Sequence, residues 1–203
     1  MRTEYLISDY RNAQILVDEK NKFLGEHTPI LLPHFSKDGN WNMPSPLVCS
    51  GYRKISAVLS YAAVIYERSK ISVFPLKRFE DVISFDFSGC YMATFTYSGQ
   101  RYGAHIAMDG KQGIKEYWNN MVRRGIIKDC LLYNPAEPFP LSGKSFWGLI
   151  TYDGDCYSID CSEHCRRLYD ANKGKYYFDS TISRSIVIVR KVNPLSGLCA
   201  IIK

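Results

Sequence analysis

Between residues 71 and 108 apolar and polar positions alternate along the chain. "ISVFPL" at 71–76 is followed by "DVISFDFS" at 81–88, whose Ile83, Phe85 and Phe87 fall on one face of an extended segment. "YMATFTY" at 91–97 and "QRYGAHIAM" at 100–108 then flank Ser98-Gly99. A period of two marks strands, and the Ser-Gly pair between two such runs marks a tight hairpin. The period changes at 111–125, where Ile114, Tyr117, Trp118, Met121 and Val122 recur at helical spacing and Gly125 can close the C-terminus. After a Pro-rich connection at 134–140, "SFWGLITYDGDCYSID" predicts a second hairpin with Asp153-Gly154 as a type I′ turn. A short helix around 162–170 and strands near 175–179 and 185–192 complete the pattern.

Earlier in the chain, residues 8–24 predict a helix capped by Ser8 or Asp9 and ended by Gly25, and 26–46 an irregular loop rich in Pro, Gly and Asn. "SAVLSYAAVIYERS" at 56–69 is apolar nearly all round and fits a buried helix, with a strand as the alternative. Together these elements give an α+β fold, an antiparallel β-sandwich core flanked by helices. The 203 residues suit one domain: an N-terminal helix and loop over 1–46, and a sheet core over 71–192.

Composition narrows the function classes. The formal net charge is +6, but the basic residues are scattered and no nucleic-acid-binding motif accompanies them, so nucleic acid is not the expected partner. No apolar run is long enough to span a bilayer, and charges interrupt the start "MRTEYLISDY" where a secretory signal would be apolar. The expectation is a monomer, cytoplasmic in its producer, whose export would need a route other than the general secretory one. Seven cysteines, an odd number without a disulfide framework, read as reduced thiols. Cys156, Cys161, His164 and Cys165 lie close in sequence, but adjacent His164 and Cys165 suit one tetrahedral ion poorly. Neither a metal nor a cofactor is expected. Cys49 is a weaker candidate nucleophile, because no histidine falls on a predictable partner strand; His27 and His34 lie in the preceding loop.

The hairpin at Ser98-Gly99 carries the candidate chemistry. With a two-residue loop, Tyr97 faces Gln100, Met92 faces His105 and Cys90 faces Ala107. Cys90 and His105 are then diagonal neighbours on one sheet face, about 7–8 Å apart along the backbone and closer through their side chains. A histidine beside a cysteine can lower the thiol pKa and serve as its acid and base. The bend at Ser88-Gly89 can aim backbone N–H groups at an oxyanion. Ser84, Asp86 and Asp109 are the candidates to orient the imidazole, and a backbone carbonyl is a fourth. Two ordinary core residues satisfy the same pattern, since cysteine is among the most often buried residue types.

The tetrapeptide Phe87-Ser88-Gly89-Cys90, with His105 fifteen positions after Cys90, resembles the cytotoxic necrotizing factor-like glutamine deamidases, a group that includes the Burkholderia lethal factor type. Ser84, six before the cysteine, stands where the lethal-factor type carries a threonine, and the aromatic helix "KEYWNNM" follows as it does there. The resemblance covers residues 82–122, with Phe87 in place of the usual leucine. It implies a deamidase-toxin-like fold and a bacterial toxin or effector acting on a host protein. Cys90 would attack a glutamine carboxamide, His105 would move the protons, Ser84 would be the third catalytic residue, and Ser88 and Gly89 would help hold the oxyanion. Transglutamination and proteolysis use the same Cys-His pair, and a non-enzymatic interaction domain uses neither residue.

Overall fold

The computed structural model describes residues 46–55, 60–109, 113–139, 146–160, 163–170, 175–185 and 188–203, with backbone alone for 163–170 and 175–185. The expected helix over 8–24 and the expected loop over 26–46, except its last residue Pro46, lie outside the described residues. In chain order the strands are β1 (Leu47–Cys49), β2 (Gly51–Ile55), β3 (Ser60–Val64), β4 (Ile71–Pro75), β5 (Asp81–Phe87), β6 (Tyr91–Tyr97) and β7 (Gln100–Ile106). After helix α1 (Ile114–Arg123) come β8 (Lys128–Tyr133), β9 (Phe146–Ile150), β10 (Cys156–Asp160), β11 (Glu163–Asp170), β12 (Lys175–Ser185), β13 (Ile188–Val192) and β14 (Leu195–Ser196).

Twelve of these strands form two six-stranded sheets, ordered β1-β4-β7-β6-β8-β14 and β13-β10-β9-β5-β3-β2, and β11 pairs with β12 alone. The expected purely antiparallel sandwich is corrected here. β1 runs parallel to β4 and β3 parallel to β5, so both large sheets are mixed. The chain changes sheet repeatedly, among other places between β3 and β4, between β4 and β5 and between β5 and β6, which places sequence neighbours in different sheets and brings distant strands side by side.

The sheets meet through one buried cluster. Met92, Ala107 and Tyr133 contribute from the first sheet or its edge, and Ala62, Val64, Val82, Phe87, Phe146 and Ile150 from the second. The layers touch closely at Gly103, where an added Cβ would lie 2.5 Å from Val82 Cγ2 and 3.2 Å from Val64 Cγ2. Only hydrogen fits there. On its other face the first sheet holds Ile71, Val73, Ala93, Phe95, Ala104 and Ile106 against Trp118, Met121 and Val122 of α1. That helix follows its apolar spacing, and it stops in a Schellman motif in which Ile126 N–H reaches Met121 O and Gly125 N–H reaches Val122 O, each at 3.0 Å. Gly125, at φ 65°, supplies the left-handed residue.

Three local expectations change. Residues 60–64 form a strand, not a helix: Ala62 and Val64 face the first sheet while Tyr61 and Ala63 are buried on the opposite side, so burial of both faces erases the alternation. Residues 163–170 form β11 rather than a helix. The Asp153-Gly154 hairpin has a three-residue loop, because Thr151 pairs with Asp155 and Gly154, at φ 94°, follows a turn closed by its N–H on Thr151 O at 3.0 Å.

Gly103→Ala is expected to lower the unfolding free energy by about 1–3 kcal/mol by overpacking the sheet interface. Gly89→Ala, where an added Cβ meets nothing within 4 Å, should shift it by no more than about 0.5 kcal/mol. Urea denaturation of the two variants checks the contrast.

Candidate active site

Strand β5 begins with Val82 and Ser84 facing the first sheet, and Ile83 and Phe85 facing away. Simple alternation would keep Phe87 on the face of Ile83 and Phe85, which is the expectation. Instead its pairing with β9 slips: Ser84 lies opposite Gly148, but Phe87 lies opposite Phe146. The extra residue is a β-bulge at Asp86, in the left-handed region at φ 64°. Aspartate tolerates that conformation better than most residues. The bulge turns Phe87 inward, where its ring stacks on His105 with centroids 4.0 Å apart and planes within 6°.

His105 arrives from the other sheet. The β6–β7 register pairs Tyr97 with Gln100 and Met92 with His105, as the two-residue loop predicts, with Ser98 at φ 47° and Gly99 at φ 78°. His105 is fully buried between the sheets. Its Nδ1 lies 2.9 Å from Ser84 Oγ. The same hydroxyl donates to Val64 O at 2.7 Å, so its single hydrogen is committed and it must accept from Nδ1–H. The neutral imidazole therefore carries its proton on Nδ1 and keeps Nε2 as the basic nitrogen. Ser84 is thus the orienting residue among the candidates. Ser72 lies directly opposite His105 on β4, with a buried hydroxyl that meets no protein partner among the described residues.

Cys90 sits where the chain passes from β5 to β6 and changes sheet. Extending the β6–β7 register places it opposite Ala107 on the face of His105, as expected. It lines a cavity of about 240 Å³ with Tyr66, Asp86, Ser88, Gly89, Met108 and Asp109. The second sheet-crossing link, after β3, brings Tyr66 to the same end. The Tyr66 ring stands 5.2 Å from the His105 ring, and its Oη donates to Asp109 Oδ2 at 3.1 Å. Asp109 also accepts from Ser69 N–H at 3.0 Å and Ser69 Oγ at 3.2 Å, with Arg68 Nε at 3.5 Å. Asp109 therefore holds Tyr66 and the β3–β4 link rather than the imidazole.

The electrostatics correct one expectation. A neighbouring imidazolium was to lower the Cys90 pKa, but the thiol is raised above its usual value. Burial is the main cause and the Asp109 charge adds to it, while a hydrogen bond from the Met108 backbone N–H opposes both. The resting group is a neutral thiol, whose sulfur accepts from Met108 N–H. Burial also pushes Asp109 up, but the bonds from Tyr66 and Ser69 outweigh it and hold the carboxyl below its usual range. It is ionised at neutral pH.

Of the other described thiols three are buried and one, Cys199, is exposed. Cys130 and Cys156 are pushed up to about 12 chiefly by burial, and Cys49 is buried in β1. Among the described residues no three His, Cys, Asp or Glu side chains converge as metal ligands, and Cys161 and the side chains of His164 and Cys165 lie outside them. No described helix is long and apolar enough to cross a membrane. Comparison of the chain with protein-family models, curated proteins and solved structures gives no match.

Tyr66, Phe87 and Ser72 were not visible as site residues in the sequence. Tyr66 belongs to an apolar run with no chemical signature, and Phe87 reaches His105 only through the bulge. Ser72 is a site neighbour only because β4 pairs with β7.

Two outcomes follow from this geometry. Ser84→Ala leaves the buried Nδ1–H without its acceptor and should cost about 1–3 kcal/mol in urea denaturation. The alkylation rate of Cys90 by iodoacetamide should still be climbing at the ordinary thiol pKa of about 8.5. A thiolate paired with imidazolium would already react at full rate near neutrality, and stopped-flow rates across pH separate the two.

Proposed function

We propose that the protein is a thiol amidohydrolase that converts the side-chain carboxamide of a protein glutamine to a carboxylate, acting as a bacterial toxin or effector on a host protein. The observation that carries the chemistry is the tautomer of His105. Ser84 fixes the proton on Nδ1, so Nε2 is the basic nitrogen, on the sheet face shared with Cys90. The toxin assignment rests on the resemblance at Phe87–Cys90, His105 and Ser84.

Because the resting thiol is neutral, Nε2 acts as a general base and not as half of a standing ion pair. It takes the Cys90 proton as the sulfur attacks the carboxamide carbon, while Nδ1–H stays on Ser84. Backbone N–H groups of the Ser88–Cys90 bend are the donors assigned to the developing oxyanion. Nε2 then protonates the amide nitrogen, the C–N bond breaks, and ammonia leaves a thioester on Cys90. Water attacks that thioester with Nε2 taking its proton. The C–S bond breaks, and the proton returns to sulfur.

A second reading also has an observation behind it. Cys90 is only 7% exposed and belongs to the cluster between the sheets, which suits a non-enzymatic interaction domain with a buried thiol.

Peptide mass spectrometry of a eukaryotic lysate incubated with wild type, Cys90→Ser and His105→Ala decides between them. The amidohydrolase reading expects glutamines converted to glutamates by the wild type, with the rate falling about a thousandfold or more in Cys90→Ser and roughly 10²–10⁴-fold in His105→Ala. Glutamines joined to amines would make the enzyme a transglutaminase, and new peptide termini a protease. Identical peptides from all three proteins would leave the interaction domain.

A further inference from the structure

Beside Cys90, the cavity lining includes a cluster of hydrogen-bond acceptors. Tyr66 has one hydroxyl proton, and Asp109 Oδ2 receives it at 3.1 Å, so the phenol oxygen offers lone pairs to anything bound beside it. Asp109 has no proton to offer at neutral pH. Its carboxylate is fixed in place by Ser69 N–H, which lies 3.0 Å from both oxygens, yet its side chain remains 21% exposed. Asp86 adds a second carboxylate to the lining. The Ser88–Cys90 bend also lines the cavity, and its backbone N–H groups are the donors assigned to the carbonyl oxygen. At about 240 Å³ the space is smaller than a typical cofactor or drug-sized ligand site and suits one side chain.

We infer that Tyr66 and Asp109 form the amide-nitrogen subsite beside Cys90, selecting a primary carboxamide over the corresponding carboxylate. This inference rests on the amidohydrolase reading and assigns its substrate selection to named residues. A carboxamide presents two N–H donors to an acceptor wall and one carbonyl oxygen to a donor wall. A carboxylate of the same shape has no N–H to give and brings a negative charge against Asp109 and Asp86. Sites built to hydrogen-bond a donor reject analogues lacking it more strongly than shape alone would, because their own polar groups are left unpaired. The product acid is disfavoured by the same wall that holds the substrate amide. Tyr66 also stands against His105, so the nitrogen it holds lies next to the group that must protonate it.

Iodoacetamide and iodoacetate provide the test, since they are a primary carboxamide and a carboxylate of nearly the same size and alkylate the same sulfur. Their rates on Cys90 are read by peptide-resolved mass spectrometry on the full chain and expressed as a ratio relative to glutathione. The ratio cancels changes in thiol pKa, which matters because removing the Asp109 charge makes the thiolate easier to form. Wild type should favour iodoacetamide by about tenfold more than glutathione does. Tyr66→Phe, which keeps the ring against His105, and Asp109→Asn, which keeps the shape and an acceptor oxygen, should each cut that excess by at least about threefold.

A wild-type ratio equal to that of glutathione overturns the inference, as does a ratio unchanged in both variants. A ratio that moves in Asp109→Asn alone overturns the role of the phenol, leaving charge repulsion as the selector. The amidohydrolase reading fails on a different measurement, the absence of Cys90-dependent glutamate in lysate. A preserved alkylation preference would then mark a pocket that binds carboxamides without cleaving them.

Discussion

The single proton of the Ser84 hydroxyl is the point on which the interior of this protein turns. It is spent on Val64 O, within the second sheet, so the oxygen can only accept from the imidazole that reaches it from the first. With Tyr133 Oη, 2.9 Å from Tyr157 O, and Arg53, bonded to Pro75 O, that bond ties the two layers across their apolar contact, and it sets which nitrogen of His105 is basic. A buried histidine with no fixed tautomer could be a base or a donor by turns; this one has a defined base. The bond exists because Ser84 lies before the bulge and so faces inward. The bulge then lets Phe87 face inward as well and cover the ring. Gly103, two residues before His105 on the same strand face, allows the sheets to approach closely enough for the bond to form.

The cavity follows from topology. Two links that carry the chain from one sheet to the other, after β3 and after β5, end at the same edge of the sandwich. They deliver Tyr66 and Cys90, and the end of β7 delivers Met108 and Asp109. Burial and a neighbouring carboxylate both keep the thiol protonated, and only one backbone N–H works in the other direction. A thiol in that state resists adventitious alkylation and oxidation. On the amidohydrolase reading it reacts when a bound carboxamide gives the base a reason to take its proton. On the same reading, the acidic wall that adds to the burial-driven rise of the thiol pKa is also the wall that would accept amide hydrogens, so one arrangement serves both protection and selection.

How legible this was in the sequence differs from element to element. The β6–β7 register, the Ser98-Gly99 turn and helix α1 were readable because each rests on local rules: parity, a turn that needs positive φ, and helical spacing of apolar residues. Cys90 and His105 could be placed on one face before any coordinates, and Ser84 stood among the candidates to orient the ring. The run that holds β3 fits a buried helix as well as a strand, because a strand buried on both faces loses its alternation. The direction of strand pairing was missed because parallel neighbours such as β3 and β5 are set by crossover connections, not by anything within either strand.

The sequence by itself determined periodicity and parity: which residues share a face, where turns form, and which side chains could meet across one hairpin. Those properties depend on residues a few positions apart, whose geometry the covalent chain already constrains. Only the tertiary structure decided that Ser84, and not Asp109, bonds to His105, that Phe87 turns inward, that Tyr66 joins the cavity, and that the thiol is neutral. Each of those depends on which sheet lies over which, and on how much water and charge remain once the sheets close. A strand's own pattern carries no record of its partner in the opposite layer.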